Sequence, residues 1–318
     1  MTIPGISFTI QDGALGAIPA NAARTAVKMG ICSGAVAFVA AAKLIQSTTA
    51  LSGVTFTART AGAGGNQINV TYASPSGGTT VITVSGNNIS VAPKTGAVNS
   101  DIVTAIQANA TANAMVTVAA TTPSDVVIAV AQTYLVGGIT GNINTVIPET
   151  SPSQAVTDLG YGPLTEAVTH SLAVAGGTVL AMPLNPTTAG TNTSVSHVGT
   201  GGGTVAASGT PYDSYQFVVN IVLGGALGVA QFKYSLDGGV NYSATFIIPS
   251  GGTYAVPKTG LTLTFASTFV AADLYTFGTT APAYAIADAQ DAFAALLASG
   301  QAFGFVHLVG TGASVAAS

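Results

Sequence analysis

Charge is what this sequence has least of. Only 6% of its 318 residues are Asp, Glu, Lys or Arg, against roughly 25% in an average soluble domain. Seven basic residues stand against eleven acidic ones, a net charge of −4, and no basic run exists. A surface that tracks phosphates has nothing to be built from, so nucleic acid is not an expected partner. With so few charges, large exposed faces have little to keep them apart. The composition favours a subunit largely covered by copies of itself over a freely diffusing monomeric enzyme. Tryptophan is absent and cysteine occurs once. Cys32 cannot form an intrachain disulfide and, in its apolar stretch, reads as a small buried hydrophobe rather than a reactive thiol. Long apolar runs are missing too. Met29 to Ala42, bounded by Lys28 and Lys43, is too short to span a bilayer. "MTIPGISFTIQDG" lacks the basic and apolar regions of a signal peptide. A cytoplasmic place of synthesis is expected, with no membrane insertion.

What is present is Ala and Val interleaved with Thr, Ser and 39 glycines, a composition suited to β-sheet with tight turns. Three segments carry helix-and-strand patterning. The first leads through "TAVKMGICSG", an apolar strand. In the second, Ser151, Pro152 and Gln154 fit the cap, first and third positions of a short helix that stops at Gly160. Pro163 starts another, with Leu164, Val168 and Leu172 on one stripe and Gly176-Gly177 as its stop; "TVLAMPL" follows as a buried strand. The third segment repeats the scheme: Asp288 caps a helix carrying Phe293, Leu296 and Leu297, Gly300 ends it, and "AFGFVHLVG" is the next strand.

Between these segments lie two β-rich blocks. One alternates through "VTFTART", "QINVTYA" and "TTVITVSGNNISVAP". It adds one helix, "NSDIVTAIQANATANAM", capped by Asn99 or Ser100 with Ile102, Ile106 and Ala110 facing in. The other is all β, from "SYQFVVNIVLGG" to "DLYTFGTT". The expected fold class is multidomain α+β/α/β. A discontinuous α/β core, a mostly parallel sheet with helices, is interrupted by two β-rich insertions, the second an all-β sandwich. The expected boundaries are 1–49, 142–190 and 283–318 for the core, 50–141 for the first insertion and 191–282 for the second. The core pieces sum to roughly 130 residues, an ordinary domain size.

Candidate chemical sites are few. "FKYSLDGGVNYS" places Asp237-Gly238-Gly239 between two alternating segments, where Asp-Gly supplies the positive φ of a hairpin. It lacks the successive oxygen ligands of a calcium loop. Ser235, Asp237, Gly239 and Tyr242 resemble the S-x-D-x-G-x-x-W box of sialidases with Tyr in place of Trp, a motif that braces a hairpin and is not catalytic. Glu166 and His170, four apart on one helix, could pair, or could be a solvated or subunit-contact pair. His170, His197 and His307 form no metal-type grouping, and His307 reads as a hydrogen-bonded core or interface residue. "GTGGGTVAASG", Gly199 to Gly209, lacks the ending and context of a phosphate loop and reads as a flexible inter-domain strap. No catalytic residue, cofactor or metal is expected.

"PGISFTIQDGALGAIP", "SPSQAVTDLGYGPLTEAVTHSLAVAGGTVLAMPLNP" and "AFGFVHLVG" resemble tail sheath proteins of contractile bacteriophages. The segment "FKYSLDGGVNYSATFIIPSGGTYAVPKTGLTLTFASTFVAADLYTF" resembles a β-rich insertion that some of them carry, and "AGAGGNQINVTYA…LVGG" another module of phage structural proteins. The resemblance implies a non-enzymatic virion protein, assembled in the host bacterial cytoplasm. It would stack as a homo-oligomer of hexameric rings around a tail tube protein, with baseplate and tail terminator proteins as further partners, and contract to drive the tube through the host envelope. Linkage in such families runs through exchanged terminal extensions. Here Ile3, Ile6, Phe8 and Ile10 of the short uncharged arm "TIPGISFTI" are the expected inter-subunit contacts. The chain ends soon after the strand Phe303–Val309, where sheath proteins usually continue into a further domain, so a truncated chain, a remainder not represented in this sequence or a shortened relative is expected. The alternatives are another phage tail structural protein (tube, decoration or baseplate-associated) and, more remotely, a carbohydrate-active hydrolase. The hydrolase would need paired carboxylates about 5–10 Å apart, and no such pair stands out.

Overall fold

The structure is a computed structural model and describes residues 25–46 and 52–310. Among them are twenty strands and five α-helices, so the protein is β-rich, with several separate sheets. Two compact units are present: residues 36–143 form one, and the described residues on either side of them form the other.

In chain order, β1 (Ala26–Gly30) opens the split unit. Residues 36–143 then hold β2 (Ala42–Gln46), β3 (Gly53–Ala58), β4 (Asn69–Tyr72), β5 (Val81–Ser85) and β6 (Asn88–Ala92). They continue with α1 (Asn99–Ala108), α2 (Ala110–Met115), β7 (Val116–Ala120) and β8 (Val130–Tyr134). The split unit resumes with β9 (Ile147–Glu149), α3 (Pro152–Leu159), α4 (Pro163–Ala175) and β10 (Val179–Pro183). Next come β11 (Thr191–Asn192), β12 (Ser196–Val198), β13 (Thr204–Gly209), β14 (Gln216–Leu223) and β15 (Gln231–Ser235). After β16 (Phe246–Ile247), β17 (Thr253–Val256), β18 (Leu261–Ala266) and β19 (Leu274–Thr280), α5 (Ile286–Ala298) and β20 (Phe305–Leu308) complete the order.

The unit of residues 36–143 has a three-stranded sheet, β2-β3-β7, and a four-stranded one, β5-β6-β4-β8. Alternation explains both: Val54 and Phe56, Val70 and Tyr72, and Ile89 and Val91 point inward and meet Ile102 and Ile106 of α1 in one core. The expected single helix is two helices. Asn109 is extended, and its side chain accepts from the Ala112 N–H at 2.9 Å, so it ends α1 and caps α2. The change of axis leaves Ala110 exposed and buries Ala112 instead. The start also differs: Val98 is the cap residue, and the Asp101 carboxylate accepts from its N–H at 3.0 Å.

In the split unit, one sheet runs β20-β1-β10-β9. β1 pairs in parallel with both β10 and β20, and β9 joins β10 antiparallel. β10 is buried at every position, as a strand covered on both faces must be. Val27, Met29, Leu180 and Met182 pack on Ala292 and Leu296 of α5. Val179 and Ala181, facing the other way, pack with Ala155 and Leu159 of α3 and Leu164, Val168 and Leu172 of α4. The helix ends follow their residue chemistry. The Ser151 side chain accepts from Gln154 N–H at 3.2 Å, Pro152 and Pro163 sit in first turns, and Gly160 and Gly176 end their helices at positive φ. In α5 the expected cap is displaced. Ala285 is the cap residue, and Asp288, three positions in, accepts its N–H at 2.7 Å. Leu296 is fully buried, whereas Leu297 is 59% exposed.

The remaining strands form two sheets that share a core. One is β11-β19-β14-β15-β16, with β12 also on β19; the other is β13-β18-β17. Phe217, Phe232, Tyr275 and Phe277 from the first meet Leu261, Leu263 and Phe265 of the second. "GTGGGTVAASG" is not a loose strap: β13 is antiparallel to β18 along its whole length, from Thr204↔Ala266 to Gly209↔Leu261. No helix among the described residues is long and apolar enough to cross a membrane.

The α5 geometry makes a stability prediction. Leu296→Ala should cost about 2–5 kcal/mol, the usual range for emptying a buried leucine site. Leu297→Ala should stay within about 0.5 kcal/mol, as exposed substitutions do. Urea denaturation of both variants checks the pair, and equal losses would contradict the assigned helix face.

Candidate functional site

Asp237 carries an extensive hydrogen-bond network. Its Oδ1 accepts from Ser235 Oγ at 2.6 Å, Asn241 N–H at 2.9 Å and Val240 N–H at 3.1 Å, and its Oδ2 from Asn241 Nδ2 at 2.7 Å. Ser235 is buried, and its Oγ in turn accepts from Gly239 N–H at 2.9 Å. Gly238 and Gly239 take φ values of 77° and 96°, a conformation open mainly to glycine. Lys233 Nζ lies 4.4 Å from the centroid of the Tyr242 ring, a cation–π contact that fastens the far side of the turn. These bonds, led by the Asn241 N–H, hold the Asp237 carboxyl down at about 2. A carboxylate that resists protonation so strongly is a poor general acid near neutral pH. The residues of "FKYSLDGGVNYS" brace a corner.

The other sequence candidates separate in space. No hydrogen bond or ion pair joins Glu166 to His170 among the described residues. Glu166 instead comes under the influence of Asp213: burial first, and then that neighbouring charge, raise its carboxyl above the usual range. Cys32 is buried, and burial pushes its thiol up to about 12, which makes it inert. His197 stacks on Tyr275 with ring centroids 4.4 Å apart, and its Nε2 lies 3.4 Å from Asp273 Oδ2. Asp273, 1% exposed, also accepts from Thr200 N–H and Gly201 N–H, each at 3.1 Å. A Cβ at Gly199 would stand 2.0 Å from Asp273 Oδ1, and one at Gly203 would stand 2.5 Å from the Phe269 ring. These glycines wrap a buried carboxylate; they cradle no phosphate. Sequence reasoning missed Asp273, whose only linear signal is a lone acid in "VAADLYTF". No group of three or more metal-ligating side chains lies together among the described residues.

The surface features are more distinctive than the polar clusters. Among the described residues β20 is a terminal strand of its sheet, and Phe305 on it is 54% exposed. On its α5 side an apolar groove of about 550 Å³ is lined by Met29, Ile286, Phe293, Leu297, Val306 and Leu308. A sheet edge beside apolar side chains is a surface suited to another polypeptide. Ile3, Ile6, Phe8 and Ile10, the expected contacts of the arm, lie outside the described residues.

The Asp237 network fixes a pH dependence. Its folded value of about 2 lies below the ordinary 3.8, so the carboxylate steadies the hairpin above about pH 4 and loses that effect as pH falls towards 2. In a carbon NMR titration of the carboxyl, Ser235→Ala should move the midpoint up towards 3.8, because one donor is gone. A parent carboxyl already titrating at the ordinary value would refute the brace.

Comparison with known proteins adds one result. A family model described as DUF2586, N-terminal domain, matches residues 132–318, more than half of the chain. No curated protein and no solved structure matches it. By that match, the chain belongs to the DUF2586 family.

Proposed function

We propose that this protein is a structural subunit of a contractile phage tail, a sheath protein that polymerises around the tail tube and acts by rearrangement rather than by catalysis. The observation that carries the reading is the sheet β20-β1-β10-β9, whose terminal strand β20 borders an apolar groove. In a chain only 6% charged, such an edge is an aggregation hazard unless assembly covers it. The stretches that resemble sheath proteins support the same reading: "SPSQAVTDLGYGPLTEA" is the α3–α4 pair, and "AFGFVHLVG" contains β20. On this reading the sheet and its helices are a discontinuous α/β core. Residues 50–141 and the sandwich of residues 191–282 are insertions carried on it.

The arm Thr2–Ile10 is uncharged and rich in β-branched residues. It docks as an added strand on a neighbouring subunit, where main-chain hydrogen bonds supply affinity with little side-chain demand.

Negative-stain microscopy of the purified chain should show rings or tubes. Dispersed single particles at every concentration would speak for a different role. Deleting Thr2 to Ile10 should leave the melting profile of the folded units unchanged while weakening assembly. A deletion variant that assembles as readily as the parent removes the arm from the account.

A further inference from the structure

One of the seven basic residues is spent inside the sheet. Lys28 sits in the middle of β1, a strand that otherwise reads Ala-Val-Met-Gly, and is only 8% exposed. Buried charges are normally paired with an opposite charge, yet the ion pairs among the described residues join Lys94 to Asp101 and His197 to Asp273. The Lys28 ammonium meets a histidine instead. Its Nζ lies 3.1 Å from Nδ1 of His307, its register partner on β20. An ammonium has only donors, so Nδ1 must accept, and the single proton of the neutral ring then resides on Nε2. Burial lowers the Lys28 amine, and burial followed by the Lys28 charge lowers His307, which keeps the ring in that neutral form near pH 7. His307 is exposed on a terminal strand. The outcome is an N–H donor at the sheet edge, polarised from behind by a buried cation.

We propose that Lys28 and His307 form a carboxylate-binding site on the β20 edge, filled by an aspartate of a second copy of this chain. The proposal rests on the self-assembling role argued above. Charge complementarity selects the occupant. The chain is net acidic, and Asp158 on α3 and Asp291 on α5 are exposed with no hydrogen bond or ion pair among the described residues. The incoming carboxylate accepts from His307 Nε2–H. Lys28 is a positioning residue: it fixes the tautomer and supplies the positive charge behind the ring. No covalent step is involved, and the ligand class is a carboxylate rather than a phosphate chain, since a single cation, Lys28, and one neutral N–H donor, that of His307, converge here.

Two measurements test this. In nitrogen-detected NMR of the dispersed full chain, His307 should show the Nε2–H form. Acetate should raise its titration midpoint, whereas equal chloride should not, and Lys28→Met should abolish the acetate effect. In assembly assays, Lys28→Met and the double variant Asp158→Asn/Asp291→Asn should each raise the threshold concentration at least tenfold. Lys28→Met should melt no lower than the parent, because an apolar chain of similar length replaces a buried amine. Acetate without effect on the parent His307 would overturn the site, and variants assembling at the parent's threshold would overturn its occupant. A parent that never assembles overturns the occupant together with the sheath reading, and the acetate titration still decides whether the carboxylate site exists.

Discussion

The parallel pairing of β1 with β10 on one side and β20 on the other is the interaction on which the split unit depends. It joins residues as far apart in the chain as Lys28 and His307, 279 positions, so the loop-closure cost falls on a short ladder. That ladder can bear it because both faces are covered: Leu296 and Ala292 from one side, Leu164, Val168 and Leu172 from the other. Everything between these strands in sequence is then free to vary in size, provided its ends return to the sheet. Residues 36–143 form a separate compact unit with its own core around Phe56 and Ile102. The two facing sheets after β10 close their own core around Phe217 and Phe265.

Scarcity of charge makes each buried polar group informative. Asp273 is compensated by backbone N–H donors and a histidine, as a buried carboxylate should be. Glu149 on β9 is not: it is fully buried, and among the described residues neither of its oxygens has a hydrogen-bond partner. Its carboxyl is pushed up, by burial first and by Asp158 second, because both act against the charged form. Lys28 is the third case, and its answer is different again. It stays near the surface strand, where its charge reaches solvent through a histidine ring.

Local chemistry was legible and long-range chemistry was not. Ser151, Pro152, Gln154 and Gly160 announce α3 because caps are properties of a few adjacent residues. The Asp237 hairpin was readable for the same reason, since its donors lie within four residues. Asn109 misled because its side chain can satisfy a helix start in the middle of a helical pattern. The glycines from Gly199 to Gly203 suggested flexibility, yet their smallness serves Asp273 and Phe269, some seventy positions on. Lys28 looked like the boundary of an apolar run. Only the register that sets it opposite His307 turns that boundary into a feature.

The β20 edge and the sparse surface charge constrain each other. An edge that pairs through main-chain groups alone would accept almost any extended segment, and a surface with few charges offers little to reject the wrong one. On the proposed reading, Lys28 supplies that rejection from within. A strand or helix that approaches β20 without a carboxylate leaves a buried ammonium unmatched and an N–H donor of His307 without an acceptor, both of which cost free energy. One that brings a carboxylate satisfies both at once. Polar pairs of this kind add more to specificity than to affinity. The apolar groove beside them supplies affinity with little selectivity. A self-assembling subunit needs the two together, because affinity alone would give aggregates and selectivity alone would not hold a ring.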